Sequence, residues 1–145
     1  MRWLAIDHGT KKIGLAFSDE LEILSSPFEV WPQEQERTLD RLARLCREEG
    51  VQALCVGLPR HKDGAESATA PAARAFGEAL SARTGLPLRL VNEHLSSAEA
   101  ERLLRERGVK PEKRKLLLDA AAAAVILSEL LEDRRGKGIP ADRLD

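Results

Sequence analysis

Within the first 31 residues lie three apolar runs, at 3–6, 13–18 and 23–31, separated by turns too short to hold a helix. Runs this close can pair only with their neighbours in sequence, which gives an antiparallel meander. His8-Gly9-Thr10-Lys11 reads as the first turn and Asp19-Glu20 as the second. The pattern then changes. A helix is predicted over about 34–49, with Leu39, Leu42, Leu45 and Cys46 along one face and Gly50 placed to end it. Residues 53–58 form a compact apolar strand closed by Pro59, followed by a polar loop over 60–67. The next helix runs to Arg83 and is expected to pack through Ala72, Ala75, Phe76, Ala79 and Leu80. Gly85 and Pro87 stop it ahead of a strand over 88–91. Ser96 or Ser97 can cap a further helix that reaches Gly108, and Pro111 can open the last one, ending near Asp133. Strand–helix alternation in the second half adds parallel strands to the meander. The expected fold is α/β: a mixed five-stranded sheet with a three-strand antiparallel meander, flanked by helices.

At 145 residues the chain suits one domain, and 43% apolar residues exclude wholesale disorder. The opening MRWLAID reaches an acid too early for a signal-peptide core, and no run approaches 18 apolar residues, so a cytoplasmic protein without membrane contact is expected. Cys46 and Cys55 lack companions at metal-ligand spacing and read as buried small hydrophobes. Net charge is balanced, at 23 Lys plus Arg against 24 Asp plus Glu, but residues 102–115 hold seven bases against Glu106 and Glu112. Such a local positive surface suits a phosphate backbone if an acidic reaction centre adjoins it.

Three acids are candidates for that centre. Asp7 ends the first strand, Glu93 follows the last one, and Asp119 interrupts the apolar run of the final helix. Ligands of open α/β sheets gather outside the carboxyl ends of strands, where Asp7 and Glu93 would meet. An acid within an apolar helix is costly unless paired or metal-bound. Each also has a plainer role: Asp119 paired with Lys115 one turn earlier, Glu93 paired with His94, and Asp7 capping its turn. Together they offer hard oxygen ligands for Mg²⁺ or Mn²⁺. His8 should face away from Asp7, because strand side chains alternate. His61 and His94 can contact phosphate or position water, and Lys11 and Lys12 lie near Asp7. Gly14 either lets a substrate approach or answers a packing need.

These residues resemble the YqgF/RuvX family of Holliday junction resolvases and pre-16S ribosomal RNA nucleases. The likeness rests on four ordered blocks: Asp7-His8-Gly9-Thr10-Lys11; Val56-Gly57-Leu58-Pro59 with Asp63-Gly64; Asn92 through Ala100; and Lys115 through Ala123. The resemblance implies a ribonuclease H-like nuclease domain over 1–133, a polar tail over 134–145, and a metal-binding triad at Asp7, Glu93 and Asp119. It implies two-metal phosphodiester hydrolysis leaving 5′-phosphate and 3′-hydroxyl ends, with Lys11, Arg60, His61, Lys62, His94 and Lys115 as candidates for placing phosphate. The family's usual Asp-Glu-Arg is Asn92-Glu93-His94 here, and its loop Asn before Met-Asp-Gly is replaced within Arg60-His61-Lys62-Asp63-Gly64.

Implied partners are nucleic acid, as precursor ribosomal RNA or branched DNA, and ribosomal precursor particles, with a monomer or a homodimer both open. Maturation of the 5′ end of precursor 16S RNA leads, and four-way DNA cleavage is the runner-up. A non-catalytic ribosome-assembly or nucleic-acid-binding factor is the alternative outside enzymes. An actin-like phosphotransferase lacks room for its second lobe.

Overall fold

The structure, a computed structural model, describes residues 1–60, 63, 65, 67–93 and 97–144. Strands β1 (Trp3–His8), β2 (Lys12–Ser18) and β3 (Ser25–Pro32) form the expected meander, and α1 (Glu36–Glu48) leads into β4 (Ala53–Pro59). Helix α2 (Ala70–Thr84), β5 (Leu88–Glu93), α3 (Ser97–Glu106) and α4 (Pro111–Gly136) complete the chain. The sheet order is β3-β2-β1-β4-β5, with β1 antiparallel to β2 and parallel to β4. The mixed five-stranded α/β architecture is therefore as read from the sequence. Pairing with β2 carries β1 two residues beyond its apolar run, so Asp7 and His8 are strand residues. Ser96, one of the two candidate caps of α3, lies outside the described residues.

Side-chain alternation divides the two faces. Leu4, Ile6, Ile13, Leu15, Leu54 and Val56 pack with Leu39, Leu42, Phe76 and Leu80 of α1 and α2. Trp3, Ala5, Ala16, Ala53 and Cys55 face α4, meeting Ala123, Ala124, Ile126 and Leu127. Small residues on both surfaces let α4 settle close to the sheet, and this accounts for the alanine run 120–124. Cys46 and Cys55 are both buried and free; they belong to cores on opposite faces of the sheet. Helix α2 is rotated from its expected setting: Ala70, Ala73, Phe76, Gly77 and Leu80 are buried, whereas Ala72, Ala75 and Ala79 are exposed. No helix among the described residues is long and apolar enough to cross a membrane.

Helix α4 runs to Gly136, and Arg134 on its last turn is 3% exposed. Its guanidinium donates to Glu22 of the β2–β3 hairpin at 2.6 and 3.0 Å and to the carbonyls of Pro140, Arg143 and Leu144, and it lies 5.3 Å from the Trp3 ring. The N-terminal ammonium adds a 3.1 Å contact to Glu22. Arg134→Met leaves the buried Glu22 carboxylate with only the N-terminal ammonium, which costs about 3 kcal/mol. The expected result is a fall in melting temperature of roughly 6–12 °C, read by calorimetry. The surroundings of Asp7 should not change, since the cluster sits at the opposite end of β1.

Candidate active site

Asp7 shares the parity of Trp3 and Ala5, so it faces α4, and two glycines flank it within the sheet. On one side it is in register with Gly14 of β2. A Cβ on Gly14 would overlap the carbonyl group of Asp119 and lie 2.7 Å from the Ala120 nitrogen. The missing side chain therefore lets the backbone of α4 rest directly on β2 at the residue carrying the third candidate acid. Of the two roles open to Gly14, packing is the one observed. On the other side runs β4, whose Val56 is in register with Ile6, which brings Gly57 beside Asp7. A Cβ on Gly57 would lie 2.9 Å from Glu93 Oε2 and 2.7 Å from Ile126 Cδ1. The Glu93 side chain thus crosses the space above Gly57, toward Asp7, from the end of β5. Glu93 and Asp119 come within electrostatic reach of Asp7 because two strand neighbours have no side chains in the way.

The electrostatics carry the mark of this crowding. Burial, then repulsion from Glu93 and Asp119, pushes the Asp7 carboxyl up to about 8. Burial and the charge of Glu129 push Glu93 up to about 7. Asp119 is engaged by Lys12 Nζ at 3.2 Å, so its partner comes from β2 and not from Lys115. Lys115 is exposed one helical turn earlier, and Lys11 is exposed in the β1–β2 turn. Among the described residues, no group of three His, Cys, Asp or Glu side chains is disposed as it stands to hold a metal ion.

The remaining candidates are scattered. Arg60 Nε donates to Asn92 Oδ1 at 2.8 Å, and the Arg60 amide donates to the Glu93 carbonyl at 3.1 Å. Asn92 thus does a job that a charge count hides: it tethers an arginine beside the end of β5. His61, Lys62 and His94 lie outside the described residues. His8 faces α2, its ring 4.9 Å from that of Phe76, and burial lowers its pKa. Glu129 escaped the sequence reading. The signal was present, since it stands three residues after Ile126 and flanks the stripe of α4 that carries Asp119.

Comparison with known proteins agrees with this fold. The profile of the RuvX family, described as a Holliday junction resolvase, matches residues 1–133. A protein of Anaeromyxobacter sp. named "Putative pre-16S rRNA nuclease" is 42% identical over 135 residues, covering 92% of this chain and 98% of its own. One of the same name from Lachnospira eligens is 37% identical over 139 residues, covering 93% and 99%. In fold, the chain is similar to Thermus thermophilus RuvC, with a TM-score of 0.61 at 17% identity over 94% of this chain and 97% of that one. It is also similar to the fowlpox virus Holliday junction resolvase, with a TM-score of 0.59 at 12% identity over 92% and 99%. The matching profile, relatives at 37–42% identity over nearly their whole length and the sheet order converge on one conclusion: the chain belongs to the YqgF/RuvX family of nucleases.

Proposed function

We propose that the protein is a Mg²⁺- or Mn²⁺-dependent phosphodiesterase acting in 5′-end maturation of precursor 16S ribosomal RNA. The observation that carries this reading is the approach of Glu93 and Asp119 to the buried Asp7, whose carboxyl is raised to about 8 by burial first and then by their two charges. Hard oxygen donors gathered around a carboxyl that is unfavourable in its ionised form fit a hard divalent cation, whose charge offsets that cost. Asp7, Glu93 and Asp119 would hold it, with Asp119 exchanging Lys12 for the cation. A bound cation of this kind supplies activation of the attacking water and charge neutralisation at the leaving oxygen.

The chain's own residues then bind and orient the substrate. Lys115 and the exposed bases of 102–115 approach along α3 and α4 and lead a phosphate backbone toward Asp119. Lys11 stands beside the turn after Asp7. Arg60, braced by Asn92, stands at the end of β4, and His61, Lys62 and His94 are assigned to phosphate placement from sequence. One domain over 1–133 would carry all of this.

Cleavage of four-way DNA is the second reading, favoured by the description of the matching family. Purified protein should be given precursor 16S RNA and a four-way DNA junction side by side, with Mg²⁺ and with EDTA. Metal-dependent cut RNA carrying a 5′-phosphate is the expected result, with the junction cut at least tenfold more slowly. Preferential junction cleavage by an obligate dimer would transfer the role to DNA. Binding of either substrate without turnover would instead leave a nucleic-acid-binding factor.

A further inference from the structure

On the opposite face of β1 from the carboxylates lies a cleft of about 350 Å³ at the same strand end. His8 and Phe76 form one wall, with the exposed Ala72 and Ala75 of α2 opening it and Leu39 behind. Gln33, just after β3, contributes the one unsatisfied donor. Its Oε1 accepts the Gln35 amide at 2.9 Å, which fixes the orientation of the side-chain amide. Its Nε2 is buried and, among the described residues, has no hydrogen-bond partner. A buried donor without a partner costs about 1–3 kcal/mol unless a ligand completes it. Gln35 itself sits at φ 53 and ψ −117, a backbone conformation that disfavours a side chain. The amide of a strained residue thus holds Gln33, which lines the cleft, with its donor unmatched.

We propose that this cleft is a nucleobase pocket, taking one base of the strand whose phosphates cross the carboxylates on the other side of β1. The base packs on the His8 and Phe76 rings and presents an acceptor to Gln33 Nε2. A phosphate does not suit the lining, which holds no Lys or Arg among the described residues and whose one acid, Glu36, is paired with Arg83 at 2.5 Å. A volume near the lower end of the range for small-ligand sites suits a single flat heterocycle. Asp7 and His8 are consecutive, so a strand passing over the end of β1 has one nucleotide on each face. Recognition by stacking and one edge contact is the mode by which bases outside a duplex are read. The assignment to a nucleic-acid strand rests on the nuclease reading; the pocket's preference for a base does not.

Two variants test it without touching the core. Ala75→Trp fills the cleft from an exposed helix position, and Gln33→Glu keeps the acceptor for Gln35 while removing the donor. The His8 imidazole resonances are followed by NMR during titration with 5′-AMP, GMP, CMP, UMP and, as control, ribose 5-phosphate. At least one nucleotide should shift them, ribose 5-phosphate should not, and each variant should weaken that response tenfold or more. An abasic position moved along a single-stranded RNA should weaken wild-type binding about tenfold at one register and leave Ala75→Trp indifferent. Equal shifts with ribose 5-phosphate, no shift with any nucleotide, or unchanged affinity in both variants would overturn the pocket. Cleavage, scored separately, tells the two ideas apart. Intact metal-dependent cleavage without a base response sinks the pocket alone, and a base response without cleavage sinks the nuclease reading alone.

Discussion

Asp7→Asn should lower cleavage by ~10³-fold or more while making the metal-free protein more stable at pH 8. The two effects have one cause. Asp7 faces two other carboxyls in a buried setting, so its ionised form is unfavourable until a cation arrives. Its folded-state value of about 8 lies above the ordinary 3.8, and Glu93 at about 7 lies above 4.5. Between the unfolded and folded values the native state keeps protons that the unfolded chain has released, so stability falls as pH rises. The metal-free wild type should therefore lose melting temperature from pH 5 to pH 8, with no further loss from Asp7 well above 8. The Asn variant, neutral throughout, should show a shallower decline and melt roughly 5–10 °C higher at pH 8, for about 2–3 kcal/mol. Added Mg²⁺ should raise the wild-type melting temperature more at pH 8 than at pH 5, and should do less for the variant. Scanning calorimetry across pH, with and without Mg²⁺, reads all of this. A variant with full activity would remove Asp7 from the reaction, and a pH-independent wild-type melt would remove the crowding.

Gly14→Ala is expected to be the most damaging glycine-to-alanine change among the described residues. The new Cβ would meet backbone atoms of Asp119 and Ala120, not the ends of flexible side chains, so relief requires moving α4 off β2. Overpacking ordinarily costs 1–3 kcal/mol, and displacement of a helix backbone places this case at about 3–5 kcal/mol. A drop of roughly 8–15 °C in melting temperature follows. Cleavage should be lost even at temperatures where the variant remains folded, because the shift carries Asp119 away from Asp7. Gly136→Ala is the control. Nothing lies within 4 Å of its added methyl, and it should melt at or slightly above wild type. If Gly14→Ala retains wild-type cleavage, the close approach of α4 is not what places the third acid.

Legibility in the sequence followed the range of the interactions. Strand and helix order came through because it rests on local periodicity and on turns such as Gly50 and Gly85. The three acids were nameable because Asp7 ends an apolar strand, Glu93 follows one and Asp119 interrupts an apolar helix. The approach of Asp7 and Glu93 could be read from their strand ends; that of Asp119 could not, since it depends on Gly14, a residue that acts by lacking atoms. The pairing with Lys115 offered as the plainer role of Asp119 is not the one observed, for a related reason. Lys115 is a helical neighbour visible in one dimension, whereas Lys12 reaches Asp119 only through the crossing of α4 over β2. The setting of α2 was read from an alanine stripe that suited packing and solvent equally well, and the tertiary fit chose Ala73 and Gly77 for the core. Glu22 and Arg134, 112 residues apart, look like any surface charges until the hairpin and the last turn of α4 meet.

The dependence of the site on α4 also bears on when activity can begin. Asp7 and Glu93 are in place once the five strands pair, but Asp119 arrives with the final helix, whose docking is among the longest-range events in the chain. Nascent protein still threaded through the exit tunnel would hold two acids and no third. Whatever phosphate backbone the site acts on would stay intact until α4 has emerged and docked on β2.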